Sequence, residues 1–274
     1  MLYRGMDRAQ LDAAYNNSAA VPERDAIIDG WVTRSAAVRR ERQGHFDLKY
    51  GEAPRERLDL FLAAQFKAPT LLFIHGGYWQ SNDKKTFAFL AEGLVPSGIN
   101  LALVEYTLAP AARMDRIVGE LRRSVGWLAE HLGDYGADPD RFYVAGHSAG
   151  GHLTAMTMTL RAVRGGLAIS GLYDLEPIRL NYLNEKVGLD PQEAEHNSPL
   201  LHLPPMAGEL VVAYGTNELP ELCRQSVDYA RAWTERGLPG HLLPVDGANH
   251  FTVLEALADS QGALTRALCD MIGL

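Results

Sequence analysis

The stretch "VAGHSAGGH", residues 144–152, places one serine between two glycines directly after an apolar run. Ser148 lies where a strand over 141–146 must turn sharply into a following helix. Gly146 and Gly150 have no Cβ, so strand and helix can approach closely at this turn. The serine Oγ then stands clear of the sheet edge, where the helix N-terminus also directs its free N–H groups. This pattern predicts a nucleophilic serine.

Strands and helices alternate on both sides of this turn. Continuous apolar runs indicate strands buried on both faces, and apolar positions at steps of three and four indicate helices. The alternation predicts an α/β fold with a mainly parallel central sheet and helices on both faces. The proline-rich segment 172–207 interrupts it and is predicted to form a short insert over the C-terminal edge of the sheet. We predict strands over 55–63, 70–77, 99–106, 141–146, 166–171, 208–215 and 240–245, and helices over 114–132, 149–162, 219–236 and 251–272.

Composition narrows the class of protein further. The 274 residues are 47% hydrophobic and 22% charged, which favours one domain over 1–274 with a large core. A net charge of −8 disfavours a nucleic-acid partner, since phosphate binding needs a basic face. Two cysteines, Cys223 and Cys269, are too few for a disulfide scaffold. With no signal peptide and no long apolar run, we expect a cytoplasmic protein without a membrane partner. The oligomeric state stays open, a homodimer included.

A nucleophilic serine needs a base and a third group that orients the base. In folds of this class the chain order is nucleophile, acid, base. His250 in "VDGANHF" follows the last predicted strand and is the expected base. Glu218 in "YGTNELPE" follows the preceding strand and is the favoured acid, while Glu221 and Asp246 remain alternatives.

Acyl transfer also requires N–H donors for the developing oxyanion, each worth roughly 3 kcal/mol. "HGGYW" (75–79) closes the predicted strand over 70–77, where the second arm of an oxyanion hole would lie. We assign the donors to the backbone N–H groups of Gly77 and Ala149, with Tyr78 as a third. No nucleotide fingerprint or metal-binding histidine motif is present, so the reaction is expected to need neither metal nor cofactor.

Together, "HGGYW", "GHSAGGH", "ISGLYDLEP" and "GTNELPELCRQS" resemble the α/β-hydrolase superfamily, and within it the arylformamidase (kynurenine formamidase-like) and carboxylesterase branch related to the hormone-sensitive lipase group. The resemblance covers residues 70–260. It implies a triad of Ser148, Glu218 and His250. In many members of the family the acid is aspartate, so Glu218 departs from the family pattern.

The resemblance implies either of two small-molecule substrates. We expect small carboxylic esters, with aryl formamides such as N-formylkynurenine as the alternative and a catalytically silent binding fold as a third hypothesis. The insert lacks the long apolar lid helix of an interfacial lipase. Residues 11–17 are candidates to cover the mouth of the site. His147, Trp79 and Tyr173 are candidate substrate-binding residues, as is Tyr182, with ordinary core packing the alternative for the aromatic ones.

Overall fold

The computed structural model describes all residues from 1 to 274 and is built around one eight-stranded sheet. Its order is β1-β2-β4-β3-β5-β6-β7-β8, with β1, β2 and β4 paired antiparallel and the strands from β4 across to β8 parallel. The strands are Gly44–Lys49 (β1), Arg57–Phe61 (β2), Thr70–Ile74 (β3), Asn100–Val104 (β4), Phe142–His147 (β5), Gly165–Ile169 (β6), Glu209–Gly215 (β7) and Gly240–Val245 (β8).

Helices cover both faces of the sheet and bury two hydrophobic cores. Alternate side chains of β3 enter opposite cores, Leu72 and Ile74 on one side and Leu71 and Phe73 on the other, which explains its continuous apolar run. None of the helices combines the length and apolar character needed to cross a membrane. The α-helices are Arg8–Ala14 (α1), Asn17–Ala20 (α2), Arg24–Glu41 (α3), Ala91–Leu94 (α4), Met114–His131 (α5), Ala149–Thr157 (α6), Glu176–Arg179 (α7), Asn184–Val187 (α8), Pro191–His196 (α9), Pro220–Glu235 (α10), Glu255–Ala258 (α11) and Ala263–Ile272 (α12).

The order of strands brings the site together. The chain leaves β3 toward β4 on one side, and β5 then lies on the other side of β3. The loops after β3 and β5 therefore meet where the direction of winding reverses, the usual position of a ligand site in an open parallel sheet. The loops after β7 and β8 end at the same edge because all these strands are parallel.

The predicted α/β fold is confirmed, although two predicted helices and the N-terminal segment differ from their predictions. The helix predicted over 149–162 ends at Thr157. The single helix predicted over 251–272 is broken into a short 3₁₀ turn (Thr252–Leu254), α11 and α12. Asp259 is extended, and Gly262 lies so close to Ala256 that an added Cβ would be 2.1 Å from its carbonyl oxygen. The segment before residue 55 also contains α3 and the edge strand β1, which the sequence analysis did not assign.

Candidate active site

Ser148 occupies the turn between β5 and α6 with φ 59° and ψ −120°, a backbone conformation that residues other than glycine rarely adopt. A Cβ on Gly146 would lie 2.2 Å from the Gly150 carbonyl oxygen, and one on Gly150 would lie 1.9 Å from the carbonyl oxygen of Ile74. The Ser148 N–H donates to the Ile169 carbonyl at 2.8 Å. Close packing on both sides therefore holds the strained serine, and only glycine fits at the two flanking positions.

Hydrogen bonds connect Ser148, His250 and Glu218 in a chain. His250 Nε2 lies 3.1 Å from Ser148 Oγ, and His250 Nδ1 lies 2.6 Å from Glu218 Oε2. A carboxylate can only accept, so the proton of the neutral imidazole is assigned to Nδ1. Nε2 is then the acceptor for the serine hydroxyl. All three residues are buried, and the arrangement is able to remove a proton from Ser148.

Two further hydrogen-bond donors fix the second carboxylate oxygen of Glu218. Its Oε1 accepts the Gly215 N–H at 2.7 Å and the hydroxyl of Ser170. Ser170 directly follows β6 and has a φ of 52°. Sequence analysis missed this residue, although a serine at the carboxyl end of the strand beside β7 was a usable signal. Three donors thus fix the carboxylate and leave it little freedom to rotate.

The two alternative acids lie elsewhere. Glu221 Oε2 accepts from the Tyr15 hydroxyl at 3.2 Å and pairs with Arg224 at 2.8 Å. Asp246 accepts from the Thr216 hydroxyl at 3.3 Å in an exposed turn. Neither carboxylate is hydrogen-bonded to the imidazole of His250, so the structure brings only Glu218 of the three candidates to it.

The backbone amides of Gly77 and Tyr78, in the loop after β3, have no acceptor within the protein, and that of Ala149 is the first N–H of α6, which has no partner inside its own helix. The loop after β3 reaches the serine closely, since a Cβ on Gly76 would lie 2.9 Å from that of Ser148. Gly77 has a φ of +108°, which glycine adopts without strain. These unpaired donors are what an oxyanion hole requires.

Side-chain contacts hold the loop after β3 in an uncommon backbone conformation. Tyr78 and Trp79 both have positive φ, 48° and 58°. The Tyr78 hydroxyl donates to the Tyr15 carbonyl at 2.7 Å and accepts from Asn17 Nδ2 at 3.1 Å. Because the single hydroxyl proton goes to Tyr15, Asn17 must present its NH₂ group to Tyr78. The N-terminal segment therefore fixes Tyr78, whose amide is one of the unpaired donors.

Two predicted substrate-binding residues lie in the core instead of the cavity beside Ser148. Trp79 has no exposed surface, and its Nε1 donates to His152 Nδ1 at 3.2 Å. Tyr173 is equally buried and stacks on Tyr229 with ring centroids 4.1 Å apart. The positive φ of Trp79 accompanies this inward packing. The expectation that these two side chains contact substrate is therefore corrected.

His147 does line the cavity and also supports the imidazole of His250. Its Nε2 donates to the His250 carbonyl at 2.7 Å, and the two rings lie 4.7 Å apart. Burial, followed by the nearby His250, holds the pKa of His147 well below its usual value. His147 is therefore a neutral ring at neutral pH, so it adds no positive charge beside the base.

The cavity has a volume of about 420 Å³, within the range usual for small-molecule sites. Ser148 and His250 form part of its floor, and Tyr182 of the insert lines it as predicted. The N-terminal segment closes over the opposite side through Asn17 and Ser18 and one face of α3. Of residues 11–17, which the sequence analysis named as candidates to cover the mouth, Asn17 lines the cavity, whereas Leu11 and Tyr15 are buried in the core. The lining residues are Asn17, Ser18, Arg24, Ile28, Trp31, Gly77, Tyr78, Gln80, Ser81, Asn82, Thr86, Phe87, His147, Ser148, Tyr182, Leu183, Lys186, His250 and Phe251.

The mainly parallel sheet, the strained serine after β5 and the histidine after the last strand define an α/β-hydrolase. Residues 58–218 match the family model described as BD-FAE. The chain belongs to this family, in the arylformamidase and carboxylesterase branch of the superfamily, and it is a hydrolase. The resemblance indicated by the sequence motifs is therefore confirmed.

Known proteins similar to this chain include two kynurenine formamidases. That of Danio rerio is 32% identical over 292 residues, which cover 99% of this chain and 98% of the relative. The kynurenine formamidase of Salmo salar is 33% identical, and the matched region covers 83% of this chain and 81% of the relative. A crystal structure from a Silicibacter species, provisionally described as a thioesterase, is 28% identical with a TM-score of 0.86, covering 97% of this chain and 99% of its own.

Proposed function

We propose that the protein is a serine hydrolase that cleaves aryl formamides of the N-formylkynurenine type, with Ser148 as nucleophile, His250 as base and Glu218 as orienting acid. The observation that carries this proposal is the hydrogen-bonded chain from Ser148 Oγ through His250 to Glu218 at the floor of the cavity. The reaction requires no group from outside the chain except water.

In the first half of the proposed reaction, His250 Nε2 takes the Ser148 proton while Oγ attacks the formyl carbon. The amides of Gly77, Tyr78 and Ala149 donate to the oxyanion that forms. The C–N bond then breaks, and His250 returns the proton to the leaving aryl amine. Ser148 is left as a formyl ester.

In the second half, a water molecule replaces the departed amine. His250 takes one proton from this water, and the resulting hydroxide adds to the formyl carbon of the ester on Ser148. The same three amides stabilise the second oxyanion. When the C–O bond to Ser148 breaks, the serine oxygen recovers its proton from His250, and formic acid leaves and loses its own proton to solvent as formate.

Two observations support an aryl formamide as substrate. Kynurenine formamidases are relatives of this chain over nearly its full length. In addition, Tyr78, Tyr182 and Phe251 line the cavity beside Ser148 and offer aromatic surface to an arylamine leaving group.

Both cysteines are free thiols, which supports our expectation of a reducing, cytoplasmic location.

Small carboxylic esters are the second candidate. The Silicibacter structure, described provisionally as a thioesterase, favours an ester-type substrate in general, because thioesters and oxygen esters are cleaved by the same acyl transfer and it is similar to this chain over nearly the whole length. The same groups would act on an ester, whose leaving group departs more readily than an amine.

The two candidates are separated by the ratio of kcat/KM for N-formylkynurenine to that for p-nitrophenyl acetate, measured with purified protein. We expect a ratio above one. A ratio far below one would assign the protein to the esterases. Ser148→Ala serves as the background for both substrates, since its residual rate reports contaminating hydrolases.

A further inference from the structure

The two permanently charged side chains that line the cavity are both cationic. Among the lining residues, Arg24 and Lys186 carry permanent charge, and no aspartate or glutamate is present. This contrasts with the whole chain, whose net charge is −8. Two lining cations with no lining carboxylate favour the binding of an anionic group at the cavity.

These two cations reach the cavity from different parts of the molecule. Arg24 is the first residue of α3, whose Ile28 and Trp31 line the cavity on the same helix face. Lys186 belongs to α8 of the insert, beside Tyr182 and Leu183. Both cations thus lie on elements that cover the catalytic groups, away from the strand ends that carry Ser148 and His250. They are placed to contact the part of a substrate that extends away from the serine.

Neither cation is neutralised within the protein by a buried partner. Lys186 has no ion-pair partner and is exposed at the cavity. Arg24 pairs with Asp25, whose side chain is 81% exposed, so water screens this pair and it holds the guanidinium weakly. The contact uses Nε and Nη2 of Arg24, and the remaining N–H groups of the fork are free to bind an anion.

We propose that Arg24 and Lys186 form a carboxylate-binding subsite that selects substrates carrying an anionic group on the leaving-group side of the scissile bond. The inference rests on the proposed function, because Ser148 must mark the position of that bond. The substrate class is then an N-acylated arylamine with a carboxylate, held at its far end by the two cations. A neutral arylamide of the same reactivity lacks this interaction.

The kinetic test compares N-formylkynurenine with formanilide, a neutral aryl formamide, in Lys186→Met, Arg24→Met and the double variant. Methionine keeps an unbranched apolar stem and removes the charge. We expect the ratio of kcat/KM for the charged to the neutral substrate to fall about fivefold in each single variant and about 20-fold in the double variant, through KM. Lys85→Met is the matched control, since this exposed lysine lies outside the cavity. A ratio that stays constant in the double variant overturns the proposal.

A binding experiment separates failure of the subsite from failure of the proposed hydrolysis. Ser148→Ala protein is titrated calorimetrically with kynurenine and with 2-aminoacetophenone, which has the same aryl ketone without the amino-acid end. We expect kynurenine to bind at least tenfold more tightly, and the difference to disappear when both cations are replaced and to shrink in 0.5 M NaCl. Equal affinities for the two compounds contradict the subsite, even if the wild-type protein hydrolyses neither formamide. Absence of turnover with the preference intact refutes only the reaction.

Discussion

The floor and the roof of the site are built differently. The floor consists of the short turns that follow β3, β5, β7 and β8 and carry the three hydrogen-bonded side chains. The roof consists of residues 1–41 and the insert 172–207, which reach the cavity through residues 17–31 and 182–186. Floor contacts are set by strained turns and local glycines, whereas roof contacts join segments that are distant in sequence, such as Tyr15 and Tyr78. In the proposed function, the chemistry therefore depends on the floor and the choice of substrate on the roof.

The two regions also meet at defined contacts. Tyr78 of the floor is clamped by Tyr15 and Asn17 of the roof. His152 accepts from Trp79 through Nδ1 and donates through Nε2 to the Asn197 carbonyl of the insert at 2.8 Å. Substitutions on the floor, in the roof and at these contacts are therefore expected to have effects of different kinds.

The largest effect is expected from Ser148→Ala on the floor. Removing the nucleophile should lower kcat by about 10⁵–10⁶, as in other triad enzymes. The fold should persist because alanine fits the same turn. Residual activity above a tenth of wild type, after correction for contaminants, would exclude Ser148.

Glu218→Gln is expected to lower kcat by about 10³–10⁴. The carboxylate accepts from His250, Gly215 and Ser170, so a glutamine must turn its NH₂ toward one of these donors. Either the imidazole loses its orientation or the carboxamide leaves its place. The measurement is kcat on the better substrate.

Glu221→Gln is the matched control for this substitution. Its carboxylate contacts Tyr15 and Arg224, and we expect a change in kcat of less than about threefold. The opposite ranking of the two variants would transfer the role of the acid to Glu221.

The contact between floor and roof at His152 is expected to make stability depend on pH. Burial lowers the pKa of His152 to about 4 from its usual 6.5. As the pH falls, His152 therefore takes up a proton in the unfolded chain before it does so in the folded protein. The free energy of unfolding decreases accordingly as the pH falls from about 6.5 to about 4. The contribution of His152 between pH 7 and pH 5 is about 2 kcal/mol.

The comparison variant for this prediction is His152→Gln. It should be less stable at pH 7, yet its loss of unfolding free energy between pH 7 and pH 5 should be about 2 kcal/mol smaller than that of wild type. Urea unfolding at both pH values measures this difference. Parallel losses in the two proteins would show that His152 is protonated in the folded state at pH 5.

A smaller loss of activity than in Ser148→Ala or Glu218→Gln is expected from Tyr78→Phe, which removes the contact between floor and roof and leaves the ring in place. Without the hydroxyl, the loop that carries Tyr78 and Trp79, both with positive φ, loses its contacts to Tyr15 and Asn17. We expect kcat to fall about tenfold with KM nearly constant, because the backbone amide of Tyr78 then spends less time directed at the oxyanion. Tyr182→Phe removes another cavity hydroxyl and serves as the control. A larger loss in Tyr182→Phe would show that the clamp does not position the loop.

Much of the floor was predictable because each of its turns has a local signal. Glycines around Ser148, apolar runs before it and the chain order of nucleophile, acid and base led the sequence analysis to Ser148, Glu218 and His250, which the structure brings within hydrogen-bond distance of one another. The distances among them come from the sheet order. Ser170 was missed because a lone serine after a strand is common, and its role depends on the neighbouring β7.

The roof was hardly predictable, and the reason is physical. Its helices are short or irregular in apolar spacing, and they are held by contacts between distant residues such as Tyr3 and Asp174, whose side chains are hydrogen-bonded at 2.6 Å. The same limitation explains the errors on Trp79 and Tyr173. An aromatic residue beside a motif faces the cavity or the core depending on backbone angles that the sequence pattern does not reveal.

The most direct test of the account is fluorophosphonate labelling of the wild-type protein followed by peptide mass spectrometry. A serine activated by His250 attacks this phosphorus reagent and forms a stable adduct. We predict a single adduct on the peptide that contains Ser148, formed rapidly in wild type and at least a hundredfold more slowly in Glu218→Gln. A wild-type protein that remains unlabelled, or that carries the adduct on another residue, would contradict the account.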